Sequence, residues 1–183
     1  MSKTRVLLIP ISQSAGGESC LNEQKMNKWG VGPIFVGVLI STTTLGILLS
    51  YTNLFSFAQI DNAYVRTILL ILAVLLIMEG VLVWVLAVIK SRIIDEIKKG
   101  KLVTDGIYAW VRHPIYSAFF LIVIGAILIR GNWILFFLVP LYWLFMTFLM
   151  KNTEEKWLLA IFGKTYEDYE GRTNRCIPWI PKI

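Results

Sequence analysis

Two apolar runs, residues 30 to 51 and 63 to 89, limit what this chain can become more than any other feature. A bilayer's hydrocarbon core is roughly 30 Å thick, and a helix rising 1.5 Å per residue crosses it in about 20 residues. Both runs reach that length. Two later stretches, 115 to 129 and 133 to 150, are shorter and are parted only by Arg130-Gly131-Asn132. That punctuation predicts a tight helical hairpin in place of one long buried helix, with Trp133 at the interface and a kink at Pro140. The fold class that follows is an all-α membrane protein of about four transmembrane helices.

Composition agrees, since 56% apolar and 16% charged residues with a mean hydropathy of +0.66 exclude a soluble globular domain. Lys and Arg gather in the N-terminal segment, in residues 90 to 112 and in the tail from Lys151, leaving Arg66 and Arg130 for the other side. The positive-inside rule then puts both termini, the loop around His113 and the tail in the cytoplasm. The net charge of +6 is mostly topological, with some attraction to membrane lipids bearing anionic headgroups, and nucleic-acid binding explains it poorly. Cys20 and Cys176 are both on the predicted cytoplasmic side, so free thiols are expected, and no metal-ligand spacing is present.

The chain divides into a polar leader (1–28), membrane-anchoring helices (29–99) and a chemical half with the hairpin and tail (100–183). Met26 is an alternative start, and the short spans with no organelle signal point to a prokaryotic plasma membrane. In the first two spans Gly37, Ser41, Thr42, Thr43, Thr44 and Gly46 read mostly as packing residues. Glu79 interrupts the second span, and a carboxyl in lipid costs about 2.5–3.5 kcal/mol unless it faces protein or water. It is expected to point into the bundle, either as a packing residue or as the wall of a polar cavity.

The second helix is expected to continue through Lys90 towards Lys101, with Gly100 as a stop, and residues 102 to 112 to return to the membrane. His113-Pro114 then opens the third span. Residues 152 to 163 read as a short helix capped by Asn152 or Thr153, with Trp157, Leu158 and Ile161 on its apolar face.

The hairpin predicts that the two ends of the chemical half meet. The loop from Lys101 to Tyr116 holds aromatic rings and the chain's lone histidine, and the tail holds the pair Glu154-Glu155. Carboxylates accept from ribose hydroxyls or an ammonium group, aromatic faces stabilise a cation, and exposed amides read a base edge. This inventory suits an adenine-bearing, positively charged ligand without naming one.

The residues Leu102-Val103-Thr104-Asp105-Gly106-Ile107-Tyr108, then Val111-Arg112-His113-Pro114-Ile115-Tyr116, form one block. A second block runs through Glu154-Glu155, Leu158, Phe162-Gly163, Tyr166, Tyr169, Arg175 and Pro178. In order and spacing the two blocks resemble the isoprenylcysteine carboxyl methyltransferase family and its relatives, the phospholipid N-methyltransferases, over roughly residues 100 to 178. The resemblance implies an integral membrane methyltransferase using S-adenosylmethionine in a pocket closed from the cytosol and open towards lipid. Carried across, Lys101, Leu102, Val103, Tyr108, His113, Pro114, Ile115, Tyr116 and Glu154 would bind the cofactor, and Arg112 and Glu155 would be catalytic. Tyr166, Tyr169 and Arg175 would form a structural lid, and Trp110 an interface aromatic. The prenylcysteine enzymes share an Arg just before the acidic run; Met150 stands here, followed by Lys151, about 100° round the helix.

The acceptor implied is a lipophilic small molecule or lipidated substrate, with a carboxylate favoured and a lipid amine the alternative. A carboxylate is already ionised near pH 7, whereas an amine needs a base such as His113 or Glu155. A sterol-reductase-like enzyme using NADPH carries a related Arg-His-Pro-x-Tyr block, but Ile115 and Ser117-Ala118 depart from that pattern. A noncatalytic scaffold or transporter would leave the second block without a purpose, and no inverted repeat supports transport.

Overall fold

The computed structural model describes residues 31–90 and 101–176. Among these the chain is helical, with no strand and only two isolated bridges, Gln59 to Asn132 and Val111 to Asn174. Helix α1 spans Gly32–Leu49 and α2 spans Ala63–Val85, opened by the Asn62 side chain accepting from the Val65 N–H at 3.1 Å. A wider turn, Leu86–Lys90, prolongs α2. After a 3-10 turn at Gly106–Ala109 come α3 (Pro114–Arg130), a second such turn (Trp133–Phe137) and α4 (Leu138–Asn152). Two short helices close the described chain, α5 (Glu154–Phe162) and α6 (Lys164–Arg172).

Gly32–Leu49, Ala63–Lys90 and Trp133–Phe162 are long and apolar enough to cross a membrane. Helix α3, at 17 residues, is the shorter arm of the expected hairpin. Gly131 ends it in the left-handed conformation at φ 61°, and Asn132 caps the next turn by accepting from the Ile134 N–H. The charged run Lys151, Glu154, Glu155 and Lys156 lies beyond the apolar stretch 133 to 150.

Helix α3 is the central post. One side meets α2 so closely that a Cβ added at Gly80 would lie 2.8 Å from the Ala118 carbonyl oxygen, and one at Gly125 2.5 Å from Ile77. On the other side Tyr116, Phe120, Val123 and Ile127, spaced three or four apart, join Phe35 and Leu39 of α1 and Tyr142, Met146 and Met150 of α4 in the core. The Tyr142 hydroxyl adds a polar tie to Thr42 and Thr43 at 2.7 and 2.9 Å. At the far end, Arg130 reaches Ser50 Oγ at 2.6 Å, the Ser50 carbonyl at 2.7 Å and Gln59, and lies over the Tyr51 ring.

Four expectations are corrected. Glu79 is exposed on α2 and is not buried in the bundle among the described residues; α2 is apolar nearly all round, so its pattern could not orient it. The irregularity expected at Pro140 sits upstream of it, as the 3-10 turn Trp133–Phe137, and Pro140 itself falls in the first turn of α4. Thr153 occupies the cap position of α5, but its hydroxyl donates back to the Leu149 carbonyl at 2.6 Å, while Asn152 donates to Phe148; Ile161 is exposed. Of the small residues in α1, Thr43 is buried and Gly46 meets Leu135, whereas Gly37, Ser41 and Thr44 are exposed. The leader, Gly100, the continuation of α2 towards it, and Pro178 lie outside the described residues.

Candidate active site

Pro114 fixes where the site begins. Its ring disfavours a helical conformation in the residue before it, so His113 stays outside the helix at φ −121° and ψ 61°. That leaves the backbone of Arg112 and His113 free to pair with the tail: their N–H groups donate to the carbonyls of Asn174 and Arg175 at 2.8 and 3.1 Å. Ser117, one turn into α3, donates to the Cys176 carbonyl. The tail is thereby laid beside the His113 loop.

Glu154 and Glu155 arrive on the first turn of α5, where the helix dipole favours negative charge. Adjacent on a helix and about 100° apart, they straddle the imidazole. Glu154 Oε2 is 3.5 Å from His113 Nδ1, and Glu155 Oε1 is 3.6 Å from His113 Nε2. Glu154 also accepts from the Tyr116 hydroxyl and from the Val31 N–H at 3.2 Å, which ties the start of α1 to the site. Glu155 Oε1 takes Arg175 Nε at 2.7 Å and Arg112 Nη2 at 3.1 Å. Arg112 Nη1 in turn lies 2.8 Å from Glu170 Oε1.

Burial makes these pairings matter. Arg112, His113 and Glu155 are all buried, while Glu154 is half-buried. Burial alone would lower the His113 pKa, but hydrogen bonds and charge from Glu154 and Glu155 outweigh it and raise the value above 6.5. For Glu155, burial pushes upward, yet His113, Arg175 and Arg112 bring its carboxyl down to about 2. Glu154 is lowered too, against its burial, chiefly by His113. Tyr108 and Tyr169 are raised, mainly by burial, and the Tyr169 hydroxyl donates to the Tyr108 carbonyl at 2.7 Å. At the cluster, the buried Arg112 Nε and Tyr166 hydroxyl have no hydrogen-bond partner among the described residues.

Of the residues read from sequence, Arg112, His113, Tyr116, Glu154 and Glu155 come into direct contact. Tyr108 is buried and joins through Tyr169. Pro114 is buried at the helix start, Leu102, Val103 and Ile115 are half-buried, and Lys101 is exposed. Trp110 is 48% exposed, in keeping with an interface aromatic. Arg175 does more than cover the site, since it holds Glu155 directly. Glu170 went unread; its place four residues after Tyr166, on the buried face of α6, was the available signal. Met150 is fully buried in the core and Lys151 is exposed.

The profile of the phospholipid methyltransferase family matches residues 63–165, more than half of the chain. The chain belongs to the phospholipid methyltransferase family. That match spans α2 to the start of α6 and so includes Arg112, His113 and both glutamates of the cluster. Among curated proteins, the protein-S-isoprenylcysteine O-methyltransferase of Schizosaccharomyces pombe is 43% identical over 81 residues, 44% of this chain and 34% of the relative. The enzyme of the same name from Tribolium castaneum is 39% identical over 82 residues, 43% and 28% of the two chains. Methanethiol S-methyltransferase 1 of Bradyrhizobium diazoefficiens is 33% identical over 76 residues, 42% and 26%. The matched stretch thus spans about a third or less of each relative's length.

Proposed function

We propose that this chain is an integral membrane methyltransferase that uses S-adenosylmethionine to methylate a lipophilic acceptor bearing a carboxylate. The observation that carries the reading is the buried cluster around His113, with Arg112 Nε and the Tyr166 hydroxyl left without partners inside it. Orphaned donors at a buried site are costly unless a ligand completes them. The names of the similar enzymes, isoprenylcysteine O-methyltransferase and methanethiol S-methyltransferase, agree with methyl transfer.

The residues fit the proposed donor. Bound, S-adenosylmethionine supplies an electrophilic methyl on a positively charged sulfur. Glu154, half-buried beside Tyr116, would hold a hydroxyl or ammonium group, with Tyr108 and the stretch from His113 to Tyr116 lining the same site. Lys101, Leu102 and Val103 would border it from the loop. Arg112 would orient the acceptor carboxylate, and Glu155 would keep that guanidinium in place. Burial excludes water, which strengthens each of these contacts.

The electrostatics favour a carboxylate over an amine. His113, its pKa raised between two glutamates, holds its proton to higher pH than a free imidazole does, and Glu155 at about 2 is a weak base. Neither is poised to deprotonate an amine, whereas a carboxylate acceptor needs no base. The test is turnover by the purified protein in lipid with methyl-labelled S-adenosylmethionine. It would be offered a thioether-linked lipophilic carboxylate or an amine-headed phospholipid. The expected product is a base-labile methyl ester, formed at a rate nearly flat above about pH 6, and Arg112→Leu should cut it roughly 100-fold. A base-stable methylamine formed at a rate rising through neutral pH, or retention of NADPH in place of S-adenosylmethionine, would overturn the proposal.

A further inference from the structure

Helix α2 buries Ala73, Gly80 and Val83, with Ala73 and Gly80 against α3, and its continuation buries Ala87. About 100–120° round the helix lies a second row: Ile68, Leu72, Leu75, Glu79, Leu82, Leu86 and Ile89. Their steps are four, three, four, three, four, three, the a/d spacing of a heptad seam. All are exposed except half-buried Leu86. Glu79 stands in the middle, and its carboxyl has no hydrogen-bond or ion-pair partner among the described residues.

Leucines facing lipid need nothing, because acyl chains are as apolar as they are. A carboxyl at the same depth does, at about 2.5–3.5 kcal/mol. We infer that the Glu79 face of α2 is where a second copy of this chain docks, with the two Glu79 carboxyls hydrogen-bonded to each other. Copies inserted with one orientation are related by a twofold axis along the membrane normal, so α2 meets α2 in parallel and each seam residue meets itself. A carboxylic acid carries both a donor and an acceptor, so two of them at one depth satisfy each other. A single polar residue in an apolar seam also fixes register, and with no hydrophobic force between helices in lipid, association turns on that pair.

Cysteine crosslinking of the full chain in membranes tests this. Leu72→Cys lies on the seam; Val74→Cys, equally exposed and at nearly the same depth, lies about 160° round the helix. Mild oxidation should give dimer from Leu72→Cys well above both Val74→Cys and the parent chain. Adding Glu79→Leu should weaken association roughly fivefold, the equivalent of about 1 kcal/mol for an interhelical hydrogen bond in lipid. Glu79→Gln, whose amide also donates and accepts, should retain the dimer. Equal crosslinking from both faces, an unchanged yield with Glu79→Leu, or a product with the mass of a different protein would overturn the inference.

Discussion

Replacing Glu155 by Gln removes the charge shared by two arginines and a histidine while leaving the side chain's shape. Glu155 is 6% exposed, and the Arg112 and His113 side chains beside it are 5% exposed. Breaking a buried ion pair by neutralising one partner costs about 3–5 kcal/mol, since the other charge is stranded. The lower end applies here, because Arg112 keeps Glu170 at 2.8 Å and Arg175, at 29% exposed, can rehydrate. The descent of the carboxyl from 4.5 to about 2 gives a similar upper figure of roughly 3 kcal/mol, trimmed towards 2 by screening at Arg175. The assay is thermal unfolding in detergent, read by a fluorogenic maleimide on buried Cys176 in a Cys20→Ser background. Glu170→Gln is the internal control: at 40% exposed, that carboxylate should cost about 1 kcal/mol or less. If Glu155→Gln melts within about 0.5 kcal/mol of the parent, or no lower than Glu170→Gln, the cluster is not the buried electrostatic centre argued for.

The same cluster predicts a pH optimum for stability. His113, raised in the fold, contributes fully below its unfolded 6.5 and loses that contribution as pH climbs through the folded value; Glu155 contributes fully above 4.5 and loses it as pH falls through about 2. Melting should therefore be highest between about pH 4.5 and 6.5, and His113→Gln should flatten the alkaline side. Gly125→Ala should destabilise by about 1–3 kcal/mol, because its Cβ would sit 2.5 Å from Ile77 and 3.0 Å from the Ala73 carbonyl oxygen; Gly37→Ala, with nothing within 4 Å, should be neutral or better. Tyr169→Phe strands the Tyr108 carbonyl and should cost about 1 kcal/mol, measured by the same melt.

Hydropathy carried the span positions, because transfer into lipid is a property of composition and survives without tertiary detail. The hairpin was legible for a second reason: Gly131 and Asn132 carry their turn chemistry locally. The orientation of α2 was not, since a helix apolar on every side has no face to read, and Glu79 was assigned inward on cost alone. The meeting of Arg112 and His113 with Glu154 and Glu155 could be anticipated from hairpin geometry. The return of Asn174 and Arg175 alongside Arg112 and His113 could not, because those backbone bonds leave no trace in residue type. Glu170 was hidden similarly, as one carboxylate among several charged neighbours on a short polar helix.

Helix α3 is pinned at both ends by unlike means, and this decides which parts of the molecule can yield. Its far end is clasped by Arg130, whose guanidinium is shared among Ser50, Gln59 and the Tyr51 ring. Its near end is held by side chains packed into the charge cluster. A rod fixed at both ends behaves as a mast, and the parts free to swing are those rigged to it. The tail lies beside it on hydrogen bonds from Arg112, His113 and Ser117 and on the ion pair of Arg175 with Glu155. The lipophilic acceptor proposed above would therefore enter by slackening the tail, or by parting α2 from the mast along the Gly80 and Gly125 contacts, with the mast itself standing still.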